Sequence, residues 1–199
     1  MSNLVDPGSG GIDANAAAAA NRRLGFRHCD PRAPFLWQSA DQPPARWHGS
    51  GEGPANYFAD TPVGAWAEFL RHEGITDAAD LAGVRRSLWV VELPADTPAA
   101  PQLSPAVLHG DDDSYPACQA EARRLRAAGA TSLEAPAAAL LPGGASGWSG
   151  HAAGLVTAQP SRDGRVWVVF GPLATTGWVA VQAGAPPALV LPLVRQFGG

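Results

Sequence analysis

The chain has 199 residues, 46% of them hydrophobic and 16% charged, with a net charge of −4. That length builds one domain with a substantial core, and the apolar content, which includes seven Trp, excludes global disorder. Two cysteines make neither a disulfide framework nor a metal cluster; the lack of a basic stripe counts against nucleic-acid binding, and no apolar run approaches the ~18 residues of a membrane span.

The 23 Gly and 19 Pro predict many irregular connections. Residues 1–22, rich in Gly, Ala, Ser and Asn, read as a mobile tail, and residues 23–199 as the folded domain. The run Ala16–Ala20 has no basic region before it and is not a secretion signal, so the expected location is cytoplasmic. From Leu24 the segment LGFRHC alternates as a strand, with Phe26 and His28 on one face. Pro31, Pro34, Pro43 and Pro44 then punctuate a long loop, and Gly49 to Pro54 turns into a short strand from Ala55 to Phe58. Asp60 or Thr61 caps the next helix, with Pro62 at its first position. Val63, Trp66, Ala67 and Leu70 give that helix its apolar stripe, and Gly74 stops it.

Ser87 to Leu93 is the next predicted strand, followed by a Pro-rich acidic loop over 94–114 in which Asp111, Asp112 and Asp113 are expected to be solvated. Ser114 caps a helix with Tyr115, Cys118, Ala122 and Leu125 on one face and arginines at its C-terminal end, as the helix dipole favours. A short strand from Thr131 to Ala135, a Gly-rich loop over 142–150 and the strong strand signal RVWVVF (Arg165 to Phe170) come next. Thr175 to Phe197 adds a strand and a short helix. Strands and helices interleaved with long loops predict a single α+β domain.

One constellation carries chemistry. Arg27 and Arg46 are candidates for a pyrophosphate, since guanidinium binds phosphate bidentately and keeps its charge. Tyr57 offers a flat face to a heteroaromatic ring. Glu68 points away from the apolar stripe of its helix; on a face that borders a cleft, it could stabilise an oxocarbenium-like centre. Each residue also has an ordinary reading: surface arginines, a core tyrosine, a solvated carboxylate. The five histidines show no zinc-binding spacing, and no G-x-S-x-G elbow occurs.

The order of these pieces resembles the RES domain family. Phe26-Arg27, Ala45-Arg46-Trp47, Asn56-Tyr57-Phe58-Ala59, the spaced Thr61, Ala65 and Glu68, Pro136-Ala137-Ala138 and Val166 to Phe170 follow the family's motifs across roughly residues 24–171. The resemblance implies an ADP-ribosyltransferase-like fold with a central split β-sheet and flanking helices, and NAD as substrate without a metal. It implies a toxin, paired with an antitoxin, that cleaves the nicotinamide–ribose bond with water or phosphate as acceptor. Arg27, Arg46, Trp47 and Tyr57 would contact NAD, with Glu68, Tyr57 and Arg27 carrying catalysis. The alternatives are an ADP-ribosyltransferase and a non-catalytic NAD-binding module. Ala137 stands where the family carries serine. A methyl there forgoes a hydrogen bond worth roughly 1–3 kcal/mol, unless Ser132 or Ser146 substitutes for it.

Overall fold

The computed structural model describes residues 23–151, 154 and 156–198, so the segment read as a tail, 1–22, lies outside the described residues. Strands β1 (Arg23–Cys29), β2 (Ala55–Ala59), β3 (Arg86–Leu93), β4 (Ser132–Pro136), β7 (Arg165–Phe170) and β8 (Gly177–Gly184) form one antiparallel sheet in the order β4-β7-β2-β1-β3-β8. A separate ribbon pairs β5 (Trp148–Gly150) with β6 (Val156–Ala158).

The sheet is two halves joined at a point. β1 runs in register with β3 from Arg23↔Leu93 to Cys29↔Ser87, and β2 with β7 from Ala55↔Phe170 to Ala59↔Val166. Between β1 and β2 the register holds a single pair, Phe26↔Ala59. Beyond it the strands fork, and Arg27 bridges the gap by donating from Nη1 to the Tyr57 carbonyl at 3.2 Å. At this vertex Gly25 approaches β2 so closely that a Cβ would lie 2.6 Å from the Phe58 Cβ. This is the split sheet that the family resemblance implies.

Helices α1 (Pro62–His72) and α3 (Tyr115–Ala127) cover one face of the sheet. Thr61 is the cap of α1: its hydroxyl accepts from the Gly64 N–H at 3.0 Å, and Pro62 occupies the first turn, where no N–H is needed. Gly74 ends the helix at φ +63, while the Ile75 N–H returns to the Leu70 carbonyl at 2.9 Å. Burial extends well beyond the predicted stripe, taking in Ala65, Phe69 and Arg71 besides Trp66, Ala67 and Leu70. On α3, Cys118, Ala122 and Leu125 pack on Leu133 and Val168 of the sheet. Phe58, Val91 and Val169 form the opposite face, covered by Leu36 and Leu173.

Three expectations need correction. The stretch read as an acidic loop contains a helix, α2 (Pro105–His109), with Ser104 as its cap and Pro105 in the first turn. Asp111 is not merely solvated: it accepts from Arg71 Nη2 at 3.1 Å and from the Gly198 N–H at 2.9 Å. Ser114 stands at the start of α3 without a capping bond; its hydroxyl donates to the Asp111 carbonyl and accepts from Arg46. Among the described residues no helix is long and apolar enough to cross a membrane.

Candidate functional site

A cleft of about 460 Å³ opens in the fork between β1 and β2 and runs under α1 and the start of α3. Every residue singled out from the sequence lines it: Arg27, Arg46, Trp47, Tyr57 and Glu68. Their roles differ sharply.

Tyr57 is held by its hydroxyl. It accepts from the Trp47 backbone N–H at 2.9 Å and meets His48 Nδ1 at 2.9 Å. His48 Nε2 lies 2.9 Å from the Pro43 carbonyl, which can only accept, so Nε2 carries the proton and Nδ1 accepts from the phenol. Burial lowers the His48 pKa and keeps this neutral tautomer, and raises that of the Tyr57 phenol. The ring is thereby locked with its body at the cleft wall. Trp47 contributes mainly through that backbone N–H; its side chain is 1% exposed and belongs to the core.

Glu68 sits on the side of α1 that faces the cleft. Burial raises its pKa, while Arg46, Arg71 and the backbone of Ala139 act against that rise. Arg71, one helical turn on, is fixed by carbonyls: Nη1 donates to Ala138 at 2.5 Å and Nη2 to Gly110 at 3.0 Å. Arg46 reaches the same Gly110 carbonyl at 2.6 Å and also donates to the Val107 carbonyl and the Ser114 hydroxyl. Its guanidinium lies 4.8 Å over the Tyr115 ring. Arg46 is therefore largely occupied in holding the 107–114 segment against the cleft.

Arg27 and Arg86 line another part of the wall, and Arg86 touches His28. Arg86 Nη2 lies 3.0 Å from His28 Nδ1, and the guanidinium must be the donor. Burial and the two arginines, Arg86 before Arg27, push the His28 pKa down to about 3, so the ring is neutral. The Nε atoms of Arg27, Arg71 and Arg86 are buried without a hydrogen-bond partner. Among the described residues, Arg27, Arg46 and Arg86 form no ion pair; of the cleft arginines only Arg71 does, with Asp111. A chain of net charge −4 thus gathers four arginines into one cavity, against two lining carboxylates, Asp30 and Glu68.

Ala137 is 4% exposed, packed beside Gly164, and does not line the cleft. Ser132 bonds Asp96, and Ser146 is exposed; neither lines the cleft. Sequence reasoning missed Arg71, Arg86, His28 and His48. Arg71 carried a signal, its i+3 spacing from Glu68 on one helix. Arg86 carried none, since only the β1–β3 register brings it beside His28. Among the described residues no three His, Cys, Asp or Glu side chains converge on a metal-sized site.

The sequence profile of the RES domain matches residues 21–164. No curated protein matches the chain in sequence. Among solved structures, a chain from the crystal structure of the M. tuberculosis MbcT–MbcA toxin–antitoxin complex superposes with a TM-score of 0.51 at 14% identity, covering 86% of this chain and 88% of that one. At that identity the likeness is one of fold.

Proposed function

Because the chain belongs to the RES domain family, we propose that it consumes NAD by breaking the nicotinamide–ribose bond, and that it acts as the toxin of a toxin–antitoxin pair. The observation that carries this reading is that Arg27, Arg46 and Arg86, which form no ion pair among the described residues, line one cavity with the half-buried acid Glu68. A pyrophosphate in the cleft would supply acceptors for the terminal nitrogens of Arg27 and Arg86, which line it.

In this reading the bond between C1′ and the nicotinamide nitrogen breaks, and nicotinamide leaves with the bonding pair as a neutral molecule. The ribosyl cation that forms is stabilised by the Glu68 carboxylate, which works at short range in a cavity of low dielectric. Water then adds at C1′ and loses a proton, giving ADP-ribose; inorganic phosphate in its place gives the 1-phosphate. Tyr57 supplies a rigid aromatic wall, while Arg46 and Arg71 keep the Glu68 side of the cleft in shape. The fold neighbour comes from a complex of toxin and antitoxin, which supports a protein antitoxin as the partner of this chain too.

The test is proton NMR of NAD with purified protein, with and without millimolar phosphate, following released nicotinamide. Release establishes the cleavage, and a phosphate-dependent rate selects phosphorolysis. NAD binding without release selects the non-catalytic reading, which the absence of a serine from the cleft lining favours. Labelled ADP-ribose appearing on protein would select the transferase.

A further inference from the structure

Two large apolar side chains are both exposed and part of the cleft lining among the described residues, Trp37 and Phe197. Phe197 lies beyond the 21–164 stretch that the RES profile matches. Its place is nonetheless fixed. The Arg195 N–H donates to the Ala139 carbonyl at 2.8 Å, Gln196 Nε2 to the Ile75 carbonyl at 3.2 Å, and the Gly198 N–H to Asp111 Oδ2 at 2.9 Å. The 195–198 segment is therefore pinned to the Glu68 wall, to the end of α1 and to the loop that holds Arg71.

Within that frame the Phe197 ring lies 4.3 Å from the Arg71 guanidinium, and 37% of the residue stays exposed. One side of the ring is satisfied by the cation. The rest is apolar surface held open in a cavity that Glu68 also lines, beside Arg71, the residue one helical turn from Glu68. A flat heteroaromatic ring placed there would cover it in an offset stack.

We propose that Phe197 is a substrate-contacting residue that stacks on the nicotinamide ring, the ring whose ribose carbon lies at Glu68. This rests on the NAD reading above. Phe197 thus sets the affinity for the intact dinucleotide, but not for the ADP-ribose that remains after nicotinamide leaves.

The experiment is calorimetric titration of NAD and of ADP-ribose into Glu68→Gln, which keeps NAD intact, and into the double variant with Phe197→Leu. Phe197→Leu should weaken NAD about three- to tenfold and leave ADP-ribose unchanged, and Phe197→Tyr should restore NAD binding. In the otherwise wild-type enzyme, Phe197→Leu should raise KM with kcat held within about twofold. Equal weakening of both ligands, or no change in either, overturns the proposal while the NAD reading stands. A fall in kcat with a displaced pH profile and unchanged KM overturns it too, since Phe197 would then act only through Arg71. If the wild-type protein binds neither NAD nor ADP-ribose, the NAD reading fails and takes this one with it.

Discussion

Two pairs of arginines in one cleft are used in opposite ways. Arg46 and Arg71 have their terminal nitrogens saturated by main-chain carbonyls from the 107–111 and 138 segments, converging on Gly110. Arg27 and Arg86 are more lightly held, with one side-chain bond each, to the Tyr57 carbonyl and to His28. The first pair is largely spent on the fold; the second keeps more of its terminal donors uncommitted. Counting arginines in a motif does not separate the two kinds, because the distinction lies in which carbonyls fold around each one.

The sharpest way to break that contrast begins with Glu68, the acid beside the architectural pair. Glu68→Gln should cut NAD consumption by about 10²–10³-fold, read from nicotinamide release. Burial raises the Glu68 pKa, and in the proposed mechanism the working form is the carboxylate. The rate should therefore fall as pH drops through a value above the ordinary glutamate range, and Glu68→Gln should abolish that acid limb. Next in size, Arg46→Ala strands several carbonyls and should destabilise the fold by about 3 kcal/mol, a loss of about 10 °C in Tm. If Arg46→Ala instead spared Tm and weakened only NAD binding, the division between the pairs would collapse.

The complementary substitutions, Arg27→Ala and Arg86→Ala, should leave Tm within about 3 °C of wild type. Each should weaken NAD by about ten- to a hundredfold in calorimetry, as loss of a charge-assisted bond predicts.

His28 sharpens the same end of the cleft. Its folded pKa is depressed to about 3, below the usual ~6.5, so the unfolded chain binds more protons between those values. The stability it contributes is full above the unfolded pKa and is lost as pH falls toward the folded one. His28→Asn should therefore flatten the acid side of the stability profile, by roughly 2 kcal/mol between pH 6.5 and 4.5, in urea midpoints. The smallest effect belongs to Ala137→Ser. The position is packed beside Gly164 rather than open to the cleft, so activity should change less than about twofold and stability by less than about 1 kcal/mol.

Local chemistry made most elements legible. Thr61-Pro62 wrote the start of α1, Gly74 its end, and RVWVVF a strand whose bounds the structure reproduces. The helix at Pro105 was legible and overlooked, since Ser104-Pro105 is the same kind of signal as Thr61-Pro62, obscured by neighbouring prolines and aspartates. The candidate site was half visible. Arg27, Arg46, Tyr57 and Glu68 stood out by residue type and order, and all reach one cavity. What composition could not give was allegiance. Glu68 looks solvated on a helical wheel until β1 and β2 fork beneath it, and Arg46 looks available until α2 and the 110–114 turn close around it.

That fork also has a consequence for how the protein is made. β2 touches β1 at one register pair only, and its long partner is β7, more than a hundred residues downstream, with Tyr57 opposite Val168. On the ribosome, β1, β2 and α1 emerge with every motif residue of the cleft but no strand to hold Tyr57 in place. The cavity closes only after Phe170 has been synthesised and β7 has inserted beside β2, with Phe197 arriving later still. Such distant pairing is slow to form. Whatever chemistry the cleft performs is therefore withheld from the nascent chain until β7 has been made and paired.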